Sequence, residues 1–436
     1  MRPTFRAVVL FGAGIPLSLI LVLIDDGLWP IALAYLGLAI FAAGLDAVLA
    51  LPARALAVDI KLPEILYIGD RDTLQVEIWM PAGRPATSVD LVCDVGPTLA
   101  APALQSEMIA PDRPNRIAVP LTALRRGAAD IKRLWLRWRG PLSLMRRTQV
   151  YRIDKAVPVV PNIRAVRDAA IRFAAWDAPF GIKAQNQQGD GSEFDALRDY
   201  LPGLDHRSID WKHSARHRTL VCKEFRTERN HQIILAFDTG QLMSEPLGGI
   251  PRLDHAINAG LLLGYVSLRD GDRVGVFGFD SRVRLAADPV GGVHSFARLQ
   301  RLSSDLEYRH EETNFTLGLA DLLSRLKRRS LVILQTEFVD TITAELMVEN
   351  LERLAQRHLV IFVTLQDRSL HGVVDAPPRT LDAMSRAVIA DDLLHDRLVV
   401  FERLRRLGVH CLDVPSRTIG TDLLNRYIRI KRQELI

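Results

Sequence analysis

The sequence predicts an α/β chain in three parts: an N-terminal transmembrane helical hairpin, a small antiparallel β-sandwich, and a doubly wound parallel sheet. Three observations carry this. The first ~50 residues are nearly all apolar, whereas the remainder reads as soluble protein. From Leu56 to Pro161 short runs alternate apolar and polar residues between glycine and proline turns. After His231, continuously apolar strands alternate with amphipathic helices. The expected divisions are a hairpin over 1–55, a sandwich over 56–161, a connector over 162–230 and an α/β domain over 231–436.

The hairpin rests on length and charge. Ala7 to Ile24 is uncharged and long enough to cross a bilayer. Asp25, Asp26 and Gly27 break it, and a second uncharged run follows from Leu28 to Leu45. Arg2, Arg6 and Arg54 flank the outer ends, while the turn carries only acids. That bias places both ends, and the chain beyond them, on the cytoplasmic face of the inner membrane. A cleaved signal peptide fits less well, because no small-residue cleavage site follows the first run. Asp46 reads as a boundary residue at the second span's end, and Trp29 as an interfacial anchor.

Composition excludes several classes. With 56 Lys and Arg against 51 Asp and Glu, the net charge of +5 gives no clustered basic face for nucleic acid. The basic tail Arg426, Arg429, Lys431 and Arg432 reads as a solvated helix face. Cys93, Cys222 and Cys411 are sparse and lack a CxxC spacing, so they read as buried inert thiols rather than a disulfide framework or zinc site.

In the sandwich, strands are expected over Thr73–Met80, Val89–Val95, Asn115–Leu121 and Arg133–Trp138, with Trp135 and Leu136 on opposite faces. The tail of the connector, GIKAQNQQGDG, lacks periodicity and reads as a surface loop. In the α/β domain, strands are expected over Gln232–Asp238, Arg273–Asp280, Leu331–Phe338, Leu359–Leu365 and Val409–Pro415. Ligands of such sheets bind at the carboxyl ends of the strands. Asp238, Thr239 and Gly240 stand there after the first strand, and Thr336, Glu337 and Asp340 after the central one. No GxGxxG, GxxxxGK[ST] or GxSxG follows any strand, so dinucleotide, P-loop and hydrolase-elbow readings lack support.

The densest stretch is GDGSEFDALRDYLPGLDHRSIDWKHSARHRTLVCKEFRTE, Gly189 to Glu228. Gly191, Glu193, Phe194, Arg198, Tyr200, Pro202, Gly203, Asp205, Arg207, Ile209, Asp210, Trp211, Lys212, Ser214, Ala215 and Arg216 match a known signature. On these residues the chain resembles the bacterial domain-of-unknown-function family 58 (DUF 58), whose members are often encoded beside MoxR-type AAA+ ATPases. RRG at Arg125–Gly127 and RGPLSLMRR at Arg139–Arg147 extend the resemblance. It implies a von Willebrand factor type A-like fold for the α/β domain. Leu204 departs from the family, which usually has an acid there. The motif alternates acids and bases over the aromatics Phe194, Tyr200 and Trp211. Two readings stay open: an ion-pair network clipping the domains together over a packed aromatic base, or a partner-binding surface.

The same resemblance implies where a metal-ion-dependent adhesion site would lie. Asp238 is kept, Thr313 in ETNFTLGL matches the threonine, and Glu337 stands in place of an aspartate. Both serine positions are lost, to Gly240 and Leu242. The expectation is a degenerate site without a cofactor, Mg²⁺ being the ion such oxygen ligands would take. His206, His213, His217 and His231 are loosely clustered but carry no HExxH or carboxylate pattern.

The function expected is that of a membrane-anchored interaction module rather than an enzyme. The partner the resemblance implies is a MoxR-like AAA+ ATPase acting with it in assembly or maturation of a client protein. The alternatives are a metal-assisted hydrolase of the cell envelope and a passive anchor recruiting soluble proteins.

Overall fold

The computed structural model describes residues 1–83, 85–162, 188–200, 209–217, 219–226, 231–339, 341–433 and 435–436. They fall into two compact units, Met1–Asn162 and Ile163–Ile436.

In the first unit, helices α1 (Phe5–Ile24) and α2 (Trp29–Leu49) form the hairpin. Thr4 caps α1 by accepting from the Ala7 amide, and in the turn Asp25 accepts from the Gly27 amide at 2.9 Å. The Tyr35 hydroxyl donates to the Leu10 carbonyl at 2.6 Å, tying the two helices together. Val8, Ile15, Leu19, Leu23, Leu38 and Phe41 all face outward, so the pair exposes an apolar surface. The stretch Trp29–Ala55 is long and apolar enough to cross a membrane, and Phe5–Leu21 is a shorter apolar helix.

The sandwich contains every expected strand. The chain runs β1 (Ala57–Lys61), β2 (Arg71–Trp79), β3 (Thr87–Val95), β4 (Gln105–Ile109), β5 (Pro114–Ala123), β6 (Gly127–Arg139) and β7 (Met145–Val160). One sheet has the order β7-β6-β3-β4, with Arg2–Pro3 antiparallel and Leu66–Tyr67 parallel to β7; the other has the order β1-β2-β5, with Leu99–Ala100 antiparallel on the far side of β5. Leu136 is buried and Trp135 half-exposed, on the opposite faces that a period of two demands. Sequence reading missed β7, and the reason is local. A bulge between Arg152 and Lys155 shifts the register, and Asp154 sits at φ 44°, so alternation fails mid-strand.

In the second unit, β8 (Gln188–Asp199) pairs antiparallel with β9 (Val221–Arg226), and α3 (Trp211–His217) lies between them in sequence. This corrects the surface-loop expectation from Gln188 onward. Two register shifts in the pair hide its periodicity, while residues 181–187 of that stretch lie outside the described residues.

The remainder alternates strand and helix: β10 (Gln232–Asp238), α4 (Arg252–Arg269), β11 (Arg273–Phe279), β12 (Val283–Gly291), α5 (Phe296–Ser304), α6 (Phe315–Arg325), β13 (Ser330–Gln335), α7 (Thr341–Ala355), β14 (Leu359–Gln366), α8 (Arg368–Asp375), α9 (Leu381–Arg406), β15 (His410–Pro415) and α10 (Ile419–Arg432). The sheet order is β12-β11-β10-β13-β14-β15. Five strands are parallel, but β12 pairs antiparallel with β11, so the expected all-parallel sheet is mixed at one edge. The half-exposed residues of β12 gave no apolar run to read. α4, α5 and α10 cover one face and α6, α7 and α9 the other, which is why all six residues of β13 are buried.

At the amino-terminal end of this sheet, buried Asp272 accepts from His231 Nδ1 at 3.1 Å, from Lys431 Nζ at 2.8 Å and from the Tyr427 hydroxyl. Burial opposes its charge, but these partners hold its carboxyl below the usual range. Lys431 therefore leaves the solvated face expected for the tail and pins α10 to the sheet.

Candidate functional site

The site builds from the carboxyl ends of β10 and β13, central strands whose order places them side by side. Asp238 ends β10 and is 1% exposed. Its Oδ1 accepts from the Gly240 amide at 2.8 Å and the Thr313 hydroxyl at 2.7 Å. Its Oδ2 accepts from the Thr336 hydroxyl at 2.6 Å. Burial pushes the carboxyl up to about 6, against those three bonds, and the nearby charge of Asp280 adds to the rise. Asp238 and Thr313 are thus brought together as expected.

The environment does not fit a metal. A Cβ on Gly240 would overlap the Thr313 hydroxyl, so that hydroxyl fills the space a serine at 240 would need. Gly240 is a packing requirement as well as a lost ligand. Both Asp238 oxygens are engaged by this chain's own donors. Glu337 turns away from them towards two arginines. Among the described residues no group of three His, Cys, Asp or Glu side chains is placed to hold an ion; Asp340 lies outside them. Of the expected ligands only Asp238 and Thr313 come together, and they are hydrogen-bonded to each other.

Beside Asp238, the next strand supplies a second buried acid. Asp280 follows β11, accepts from the Thr239 hydroxyl at 3.0 Å, and is held by Arg284 Nε at 2.8 and 2.7 Å to its two oxygens. Arg284 also reaches Glu311 at 3.0 Å. Burial works against the Asp280 charge, but Arg284 and the turn amide of Arg282 hold its carboxyl low. A guanidinium thus sits on the acid beside Asp238.

Glu337, expected at the metal site, belongs to a separate arginine cluster. It pairs with Arg397 Nη1 and lies 3.7 Å from Arg252 Nε. Arg397 also reaches Asp413 at 2.8 Å, and Arg252 reaches Glu245 at 3.1 Å and Asp367 at 3.4 Å. Burial disfavours the Arg397 charge, but Glu337 and Asp413 outweigh it and keep the guanidinium protonated. These groups line a cavity of about 120 Å³ between β14, α8 and α9, with Phe338 and Leu394. Sequence reading missed Arg252 and Arg397. The signal was present: Leu393, Leu394, Arg397, Phe401 and Leu404 repeat at helical spacing, so one arginine interrupts an otherwise core-facing stripe.

The signature motif divides by role. Asp210 is buried and caps α3, accepting from the amides of Lys212 at 3.0 Å and His213 at 3.1 Å, with His213 Nδ1 at 2.9 Å. The Ser214 hydroxyl donates to the Asp210 carbonyl at 2.7 Å and accepts from the Val221 amide at 2.9 Å, fastening α3 to β9. Trp211, by contrast, is 68% exposed, and Lys212 and Arg216 also face outward. The expectation that Trp211 joins a packed aromatic base is therefore corrected, since helix capping at Asp210 turns the following residue to solvent. Tyr200 is half-buried and its amide donates to the Leu220 carbonyl at 2.7 Å. The backbones of Gly191, Glu193, Phe194 and Arg198 run in β8. Pro202, Gly203, Asp205 and Arg207, and also His206, lie outside the described residues. Cys93 and Cys222 are buried and Cys411 half-buried, and burial pushes the Cys93 and Cys411 thiols up to about 11.

A model of the family described as "Protein of unknown function DUF58" matches residues 196–374. The match takes in most of the signature and the sheet from β10 through β14, and shows the resemblance read from the motif. No curated protein matches. Among solved structures the chain is similar to the conserved hypothetical protein BatB of Bacteroides thetaiotaomicron, at 14% identity and a TM-score of 0.30, covering 47% of this chain and all of that one. It is also similar to the vWF domain of the type V pili tip protein Mfa5 of Porphyromonas gingivalis, at 10% identity and a TM-score of 0.30, over 46% and 96% of the two chains. An uncharacterized membrane spanning protein of Vibrio fischeri matches at 14% identity and a TM-score of 0.18, over 46% and 98%.

Proposed function

We propose that this chain is a protein-interaction module anchored in the inner membrane by its N-terminal hairpin. Both soluble units face the cytoplasm and work with a MoxR-like AAA+ ATPase in the assembly or maturation of other proteins. The ATPase is the partner implied by the family 58 resemblance. The supporting observation is the arm made by α8 and the first half of α9, beside the carboxyl end of the sheet. There Leu381 is 85% exposed, and Met384, Val388 and Ile389 are each more than half exposed. Leu381, Met384 and Val388 recur at helical spacing on one face, and apolar exposure of this kind marks a surface that another molecule covers.

A photo-crosslinking residue at Met384 in the full chain, activated in cells, tests the reading. An adduct with an AAA+ ATPase supports it. An adduct with lipid alone would make the arm a membrane contact and remove the main support for a protein partner.

A further inference from the structure

Four arginines converge where the hairpin meets the sandwich. Arg137 and Arg139 come from β6, Arg146 from β7 and Arg6 from the first turn of α1, and with Thr4 and Phe5 they line a cavity of about 170 Å³. The strand register makes this costly. Arg2 lies directly opposite Arg146, and Arg146 directly opposite Arg139, so three arginines stand in one row across three strands. Like charges facing one another across strands destabilise a sheet. Arg137 is answered by Asp90 at 3.0 Å. Among the described residues, Arg2, Arg6, Arg139 and Arg146 have no carboxylate within ion-pairing distance. The nearby Asp46 carboxylate is committed to the amides of Leu142, Leu144 and Met145 at 2.6 to 2.8 Å.

Such a row attracts an anion, and its surroundings favour one kind. Phe5, 81% exposed, borders the cavity, and Leu142, Met108 and Leu49 are exposed nearby. Arg139 also lines a groove of about 570 Å³ of mixed character, which passes Leu49, Leu51 and Met108 near the end of α2 and also Ser88, Ser106 and the Arg137-paired Asp90. A soluble phosphate would gain nothing from this apolar rim, whereas a lipid presents a phosphate and hydrocarbon together. The amino-terminal end of α1, capped by Thr4 at the Ala7 amide, adds positive potential at the same place.

We infer that the Arg6–Arg139–Arg146 cavity binds the phosphate of an anionic phospholipid, with the adjoining groove taking its apolar part. The inference rests on the reading of the hairpin as a membrane anchor. It makes the sandwich a lipid-contacting unit set against the bilayer surface.

The test uses the full chain in mild detergent, with phosphatidylglycerol or phosphatidylcholine added and lipid retention followed by native mass spectrometry. The wild type is expected to retain phosphatidylglycerol preferentially. R139Q/R146Q should weaken that retention by on the order of 10-fold, while R116Q on the other sheet leaves it unchanged. Because the double variant removes a like-charge pair, its melting temperature should hold or rise, separating lost binding from lost fold. Equal retention by the folded double variant, or no preference of the wild type between the lipids, overturns the site. Displacement of the lipid by millimolar inorganic phosphate would make it a soluble-anion pocket and also overturns it. Alkaline carbonate extraction of cell membranes tests the anchor separately: release of the wild type would sink both readings, whereas retention without lipid preference sinks this one alone.

Discussion

The hydroxyl of Thr313 lies 2.7 Å from Asp238 Oδ1 and occupies the space into which a side chain at Gly240 would have to grow. The two residues matched to a metal site are therefore bonded to each other. A serine at 240, the residue such a site uses, would require the Thr313 hydroxyl to move. This interlock makes the region a hydrogen-bonded strut between β10 and the start of α6.

The strut predicts non-additivity. Gly240→Ala should lower the melting temperature of the full chain, the overlap costing about 1–3 kcal/mol. Thr313→Ala alone loses a hydrogen bond to a buried carboxylate, about 1.5–3 kcal/mol. The double variant should be less destabilised than the sum, because removing the hydroxyl makes room for the methyl. Strict additivity in thermal melts would show that the two do not share this volume. Millimolar Mg²⁺ should leave the wild-type melting temperature unchanged, and a rise of several degrees would reinstate a metal site.

Asp238 also predicts a pH dependence. Its carboxyl is raised to about 6 from an ordinary 3.8, so the folded chain takes up a proton where the unfolded chain does not. Above pH 6 the buried charge opposes folding, and the stability gained by protonation grows as pH falls through 6 towards 4. The full effect is about 3 kcal/mol at the conversion of 1.36 kcal/mol per unit. Melting curves from pH 7.5 to 5 should show wild type gaining on Asp238→Asn. The substituted amide keeps all three contacts, its nitrogen donating to the Thr336 hydroxyl, so the variant should be the more stable protein at pH 7.5. Parallel pH profiles for the two proteins would contradict the assignment. Asp272 and Asp280, held low, lose their contributions only below the ordinary carboxyl range, outside this window.

Asp46 clips the end of α2 to the β6–β7 turn by accepting three amides, and a Cβ on Gly140 would overlap its carboxylate. Asp46→Ala should leave up to three buried donors unmet, at about 1–3 kcal/mol each. Asp46→Asn is the sharper variant. Similar in shape, it turns an NH₂ group towards N–H donors, so it should also destabilise and should increase proteolysis within Arg139–Arg147. Wild-type protease resistance of Asp46→Asn would show that the clip matters little.

The split of the signature motif predicts opposite phenotypes for neighbours. Asp210→Ala removes a cap and should cost about 0.5–2 kcal/mol. Trp211→Ala, at an exposed position, should leave the melting temperature within about 0.5 kcal/mol of wild type. In cells it should reduce whatever partner co-purifies with the tagged chain. If Trp211→Ala unfolds the protein, the motif is a structural clip and the partner reading of it fails.

Arg397 joins Glu337 to Asp413 inside the arginine cluster. Arg397→Met leaves Glu337 with the longer Arg252 contact and Asp413 with the Thr364 hydroxyl at 3.0 Å, and should cost up to about 3–5 kcal/mol. Arg397→Lys should recover only part, since one ammonium cannot serve both acids in the geometry of a planar fork. Equal thermal stability of both variants and the wild type would show that the pairs contribute nothing net.

Much of this protein follows from local rules. The apolar runs broken at Asp25, the period-two strands of the sandwich and the apolar strands from Gln232 onward each express a pattern within a few residues. Asp238 was legible as the residue that ends an apolar strand, and Thr313 only through what the family resemblance implies. What escaped was decided between distant residues. β7 and β8 pair through register shifts that erase alternation, and β12 joins as an antiparallel edge only because β11 leaves one open. The fates of three acids show the same division. Sequence assigned Glu337 to a metal, Asp46 to a membrane boundary and Asp210 to an undivided motif. Packing gave Glu337 to Arg397 60 residues onward, Asp46 to amides near position 142, and Asp210 to the cap of its own helix. A carboxylate's residue type sets only that it must find donors when buried. Which donors come within hydrogen-bonding reach is settled when chain segments far apart in sequence close around it.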